Sequence, residues 1–311
     1  MGVADGPDAS RVGRIGLFRR SRSGQGNPDD LPRPKKSAGR NLPVATAVGA
    51  ALAAVVLLSL WIGPVAWYPL VAVAMGFAMW EVLDQLRDKG YRLPMWRMIT
   101  LGQAIVWISW PFGANGVVAA FALSAMVAMF SQLFRYGRKA PPQNYLRDTA
   151  TAVFILAWIP LFGSFAAMLS LFESNGVPGG FYIITFMLCV VASDTGGYTA
   201  GVLFGTHPMA PAISPKKTWE GFAGSLVAGV LAGALAFGFL IHEPWWLGVV
   251  FGALLVFSSS LGDLVESQFK RELGIKDMSG LLPGHGGFMD RLDGMLPSAA
   301  VTWIFFTLAL L

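Results

Sequence analysis

The chain has 311 residues, 54% of them hydrophobic and only 13% charged, against roughly 25% charged in an ordinary soluble domain. That balance excludes a soluble globular enzyme, and a single cysteine, Cys189, excludes a disulfide framework. The net charge of +5 comes with no aromatic-basic groove and no nucleic-acid motif, so no nucleic-acid partner is expected.

Residues 1–40 lack the compact apolar core of a cleaved signal peptide. Rich in Gly, Pro, Ser and Arg, they read as a disordered basic cytoplasmic tail. Beyond them, apolar runs near the ~20 residues needed to cross a bilayer follow one another. They lie at about 42–62, 64–82, 97–113, 115–134, 149–171, 181–203, 221–241, 244–262 and 296–311. The expected fold is all-α, a polytopic integral membrane helical bundle of about nine transmembrane helices.

Orientation follows from the basic residues. With the N-terminus cytoplasmic, all 23 Lys and Arg fall in the tail, the inner loops or the inner span ends. The outer loops carry only Glu173, His242 and Glu243. This is the positive-inside pattern, and basic loops on that side attract anionic lipid headgroups.

Two regions differ in character. Residues 41–180 are N-terminal transmembrane helices with short loops and nothing that looks chemical; Glu81 and Asp84 beside Arg87 read as an interfacial salt-bridged cap. Residues 181–311 hold most of the polar residues that need a reason. No internal repeat is visible, which leaves an inverted-repeat transporter without support.

Three polar clusters stand out in the C-terminal region. The first, SDTGGYTAG from Ser193 to Gly201, places Asp194 within an apolar span. A carboxylate near a helix centre costs about 2.5–3.5 kcal/mol on insertion scales, so it should face protein or a water-filled cavity. Thr195, Gly196 and Gly197 would permit local unwinding or close helix approach.

The second cluster, ISPKKTWEGF from Ile213 to Phe222, brings Lys216 and Lys217 to the start of a span. Free backbone N–H groups and the helix dipole favour phosphate there. Paired lysines are also common topology anchors.

The third runs GDLVESQFKRELGIKDMSGLLPGHGGFMDRLD, Gly262 to Asp293. If a helix continues to 273, Asp263, Glu266, Ser267, Lys270 and Arg271 share one face, as they would on a solvated amphipathic end. Gly284, Gly286 and Gly287 around His285 allow close backbone approach to a ligand, and Asp290 and Asp293 would share a face of a short helix. Carboxylates and cations on a glycine loop suit a magnesium–nucleotide site.

The third cluster resembles the signature of the phosphatidate cytidylyltransferases, or CDP-diacylglycerol synthases. The resemblance rests on Ser267, Lys270, Arg271, Lys276, Asp277, Pro283, His285, Gly286, Gly287, Asp290, Arg291 and Asp293, without a gap. SDTGGYTAG and SPKKTWEG are similar to two further blocks of that family, so the likeness covers about 185–295. It implies conversion of CTP and phosphatidate to CDP-diacylglycerol and pyrophosphate, with Mg2+ and room for a second cation. It also implies a homodimer with a membrane-embedded site facing the cytoplasm of the inner (plasma) membrane.

On this resemblance Asp263 and Asp290 are metal ligands, with Asp194 supporting the metal site or holding a neighbouring cation. Asp263, Asp290, Lys270 and Arg271 form the expected catalytic group. Ser214, Lys216, Lys217, Glu220, Ser267, Lys276, Asp277, His285, Gly286, Gly287, Arg291 and Asp293 are expected to bind substrate. A CTP-dependent lipid kinase would need the same metal and nucleotide groups, and only the motif argues against it. A phosphotransferase consuming CDP-linked lipid would show a DGxxAR pattern, which Asp293-Gly294 does not continue. A lipid transporter would spread buried charges across several spans.

Overall fold

A computed structural model of the chain describes Gly2, residues 42–135, Gly137, residues 140–282 and residues 286–310. Gly2 apart, the tail expected over 1–40 lies outside the described residues, as does His285. The architecture is a helical membrane bundle. Helices α1 (Leu42–Ile62), α2 (Pro64–Asp88) and α3 (Met95–Leu133) come first. Next, α4 (Tyr145–Leu156), a π-turn (Ala157–Leu161), α5 (Phe162–Met168) and a 3-10 turn make one rod. Pro160 lies in the π-turn, where its missing N–H breaks the regular ladder.

A two-stranded hairpin, β1 (Glu173–Ser174) with β2 (Val177–Pro178), leads into α6 (Gly179–Phe204). A second hairpin, β3 (Pro208–Ala210) with β4 (Ser214–Thr218), leads into α7 (Trp219–Phe239). The chain closes with α8 (Trp245–Leu273), the short α9 (Met289–Leu292) and α10 (Met295–Leu310).

Among the described residues, seven helical segments are long and apolar enough to cross a membrane, and Thr46–Ile62 is a shorter apolar helix. The expected nine differ from this count at α1, whose apolar stretch is short, and at α3, where two expected spans form one helix of 39 residues across a break at Gly113 (φ 56°, ψ −147°). Only glycine adopts that conformation cheaply. Ser124 Oγ donates to Leu101 O at 3.5 Å and Gln132 Nε2 to Arg92 O at 3.2 Å. Residues at matching distances on either side of Gly113 therefore touch, and α3 doubles back as a helical hairpin. The loop expected at Pro111 to Gly116 is reduced to a single non-helical residue.

The helices that frame the site meet at their glycines, with backbones in near contact. A Cβ on Gly196 would lie 2.7 Å from Gly224 O, one on Gly252 2.4 Å from Gly229 O, and one on Gly248 2.2 Å from Gly233 O. Glycine is required because helices packing this closely leave no room for a side chain. The expected choice at Gly196 between unwinding and close approach is settled as close approach, since α6 stays helical throughout. Gly248→Val should force α7 and α8 apart and cost about 1–3 kcal/mol, the usual range for overpacking. A thermal unfolding midpoint equal to that of the unmodified protein in the same detergent would contradict this. At the far end, aromatic rings lock the bundle, with Phe172 4.8 Å from Tyr182 and Phe251 5.0 Å from Phe306.

Candidate active site

The β3–β4 hairpin, absent from the all-α expectation, brings the second polar cluster to the first. Pro215 in SPKKT discourages helix, and Thr218 caps α7 by accepting the Gly221 N–H at 3.1 Å. β4 thereby hands Lys216 and Lys217 to the mouth of a cavity of about 450 Å3 between α6, α7 and α8. Its walls include Ser193, Asp194, Gly197 and Tyr198 from the first cluster, Lys216, Lys217 and Thr218 from the second, and Asp263 from the third. Lys217 Nζ lies 2.5 Å from Asp263 Oδ2 and donates to Ser260 O at 3.3 Å. A larger cavity of about 570 Å3, lined by Leu86, Phe154, Leu264, Phe269 and their neighbours, holds none of the predicted site residues.

Helix α8 continues to Leu273 as the spacing predicts. One ligand oxygen each from Asp263, Glu266 and Asp293 lies within 4.8 Å of the others. Glu266 is fully buried, and Lys270 Nζ forms an ion pair with its Oε2. Beyond that pair, neither Glu266 oxygen has a hydrogen-bond partner. Lys270 also meets Asp290 Oδ1 at 3.0 Å.

Asp290 is thus placed beside Lys270, not within the three-carboxylate group; it accepts the N–H of Gly287 at 2.7 Å and of Met278 at 3.1 Å. Of the expected metal pair, Asp263 thus lies with Glu266 and Asp293, and Asp290 with Lys270. Glu266 was not singled out as a ligand because, at a step of three from Asp263, it is equally at home on a solvated face.

One reading of the N-terminal region is corrected. Asp84 does pair with Arg87, at 2.6 Å. Glu81 does not belong to that cap: only 1% of it is exposed. Its Oε1 accepts the Phe288 N–H at 2.8 Å and the Ser279 hydroxyl at 2.5 Å, and its Oε2 accepts the Met289 N–H at 2.8 Å. Nearby, Gln85 Nε2 donates to Met278 O at 2.8 Å, and the rings of Phe77 and Phe288 stack at 5.9 Å. The C-terminal end of α2 therefore grips the loop that joins α8 to α9.

The profile of the cytidylyltransferase family matches residues 44–309. The chain belongs to the cytidylyltransferase family. The chain is 47% identical to the phosphatidate cytidylyltransferase of Mycobacterium bovis, over 92% of this chain and 98% of the relative. That of Mycobacterium leprae is 48% identical, over 87% and 89%. That of Brucella suis is 32% identical, over 85% and 93%.

In this cytidylyltransferase the remaining predicted residues occupy several places. Glu220 turns from the cavity to the β3 side, where its Oε1 accepts the Thr206 hydroxyl at 2.7 Å and lies 2.5 Å from His207 Nδ1. Ser214 pairs with Ala210 in the hairpin. Arg271 Nε donates to Ile213 O at 3.3 Å, which ties α8 to β4. Ser267 is half-buried one turn beyond Asp263, while Lys276, Asp277 and Arg291 are exposed. Gly286 holds a positive φ of 85° and bridges to Leu282. A Cβ on Gly287 would lie 2.9 Å from Glu81 Oε2 and 3.0 Å from Asp290 Oδ2, so a side chain there would have to displace those carboxylates.

Proposed function

We infer that the chain transfers the cytidylyl group of CTP to phosphatidate, giving CDP-diacylglycerol and pyrophosphate. The observation that carries this reading is that residues of three polar clusters, the third through Asp263, line one cavity. Family membership and the printed names of the relatives support the two substrates. An oxygen of the phosphatidate phosphate attacks the α-phosphorus in line. The bond from that phosphorus to the bridging oxygen breaks, and pyrophosphate leaves with the electron pair.

The residues divide the work by charge. Lys216 and Lys217 face the triphosphate and offset the charge that grows on the departing pyrophosphate. Arg271, Lys276 and Arg291 extend the cationic surface, with Ser214, Ser267, Glu220, Asp277, His285, Gly286 and Gly287 shaping the substrate region. Lys270 is committed to Glu266 and Asp290, so in this reading it arranges carboxylates rather than binding phosphate directly.

Asp263, Glu266 and Asp293 supply oxygen donors of the hard type that Mg2+ prefers, and Glu266 Oε1, buried without a hydrogen-bond partner and outside the ion pair that Lys270 makes with Oε2, fits a cation. Asp290 stands beside them through Lys270, and Asp194, across the cavity, is available to a second cation. Bound there, Mg2+ would polarise phosphoryl oxygens and neutralise charge. The catalytic region is 181–311, with α2 of the 41–180 region reaching into it. The positive-inside pattern supports a cytoplasm-facing site in the plasma membrane, and the family resemblance supports a homodimer.

The test is label transfer by purified protein in detergent–lipid micelles with Mg2+ and phosphatidate. Label from the α-phosphorus of CTP should enter the lipid phase, and γ-label should leave as pyrophosphate. With diacylglycerol or polyprenol present, γ-label in lipid would make the protein a kinase instead. No transfer by folded protein would revive the transporter.

A further inference from the structure

We propose that Glu81, on α2, is a positioning residue that sets the geometry of the metal-binding carboxylates through the backbone of the loop before α9. The inference rests on the proposed reaction only for what the carboxylates do. The grip itself is geometric. Both Glu81 oxygens are spent on the 279–289 segment: Oε1 accepts from Phe288 N–H and the Ser279 hydroxyl, and Oε2 accepts from Met289 N–H.

These amides open the short helix α9, which carries Asp290 and leads directly to Asp293. The first N–H groups of a helix have no partner within it, and here a carboxylate from a distant helix supplies one. Asp290 binds the same loop from within, through Gly287 N–H and Met278 N–H, and reaches Lys270. The rotation of α9 is thus fixed by two carboxylates that hold the same loop, and that rotation determines how far Asp293 lies from Asp263 and Glu266.

No neighbouring cation explains the burial of Glu81 among the described contacts. Its described hydrogen bonds come from two backbone amides and one hydroxyl. An ionised acceptor makes each of them stronger than a neutral one would. Glutamine keeps the shape but must turn its NH2 toward one of the N–H groups, replacing an acceptor with a donor. The substitution therefore perturbs the loop without opening a cavity.

The experiment compares Glu81→Gln and Ser279→Ala with the unmodified protein, purified in detergent–lipid micelles. Mn2+ binding is read by electron paramagnetic resonance without substrates, amide exchange over residues 278–293 by mass spectrometry, and cytidylyl transfer against Mg2+ concentration. Groups that orient metal ligands typically shift affinity by about 10–100-fold when changed. Glu81→Gln should weaken Mn2+ binding by about 10-fold or more, speed exchange in the segment containing Phe288 and Met289, and raise the Mg2+ half-saturation in parallel. KM for phosphatidate should stay within about twofold, as expected when only the metal ligands move. Ser279→Ala, which removes one of three contacts, should move the same readings in the same direction by about 2–3-fold, within the spread for such groups.

Unchanged Mn2+ affinity in folded Glu81→Gln overturns the inference, whatever happens to exchange. Should Glu81→Gln fail to fold, unchanged affinity and exchange in Ser279→Ala overturn it equally, as does an unmodified protein that binds no Mn2+. Mn2+ binding and exchange need no turnover, so an absence of cytidylyl transfer would overturn the proposed reaction alone.

Discussion

Asp263→Asn is expected to lower cytidylyl transfer by about 10^2–10^3-fold, the range seen when one preorganised electrostatic group is removed from a reacting centre. Among the described residues, Asp263 alone both lines the cavity, where it pairs with Lys217, and belongs to the three-carboxylate group. Asparagine keeps the volume and removes the charge. The side chain is 40% exposed, and Lys217 retains its bond to Ser260 O, so the fold should survive. The measurement is label transfer at saturating CTP and Mg2+, alongside a thermal midpoint. Full turnover in the variant would remove Asp263 from the site, and a collapsed midpoint would show that its role is structural.

The second large effect falls on stability. Lys270 places one ammonium between Glu266, which is fully buried, and Asp290, whose side chain is 8% exposed. Lys270→Met leaves two buried carboxylates facing each other, and breaking a buried pair in this way costs about 3–5 kcal/mol. Glu266 suffers most, because it has no hydrogen bonds to fall back on. Asp290 keeps the N–H groups of Met278 and Gly287. The double variant Lys270→Met/Glu266→Gln should therefore recover much of the loss in thermal midpoint. Equal midpoints for Lys270→Met and the unmodified protein would mean that the pair is not holding α8 to α9.

Much of this was legible from residue spacing. Steps of three and four from Asp263 to Arg271 put these residues on one face if the helix continues, and α8 does run to Leu273. Asp194 within an apolar span demanded a polar surrounding, and it lines the cavity beside Lys217 and Asp263. The chain could not reveal Glu81 in the same way, because its partners are backbone amides of Phe288 and Met289. Such groups occur at nearly every residue and leave no mark in side-chain type. Next to Asp84 and Arg87, Glu81 has the composition of any helix end. The hairpin at Gly113 was read as an ordinary loop because Pro111 and Gly116 are both turn formers. The β3–β4 strands are too short for alternation to show. The distribution of carboxylates around Lys270 depends on where α9 docks, which no local pattern encodes.

The contact between α2 and α9 also bears on how the protein is made. Glu81 and Met289 are separated by 208 residues. At a synthesis rate of roughly 5–20 residues per second, domains begin to fold from the N-terminal end while the remainder is still emerging. Glu81 then waits on the order of 10–40 s for the amides that complete its shell, by the same rate. Throughout that interval α2 presents a carboxylate whose final partners do not yet exist. The site is therefore among the last parts of the molecule to form, and a ribosome that stalls before Met289 leaves behind a nascent chain marked by one unsatisfied acid.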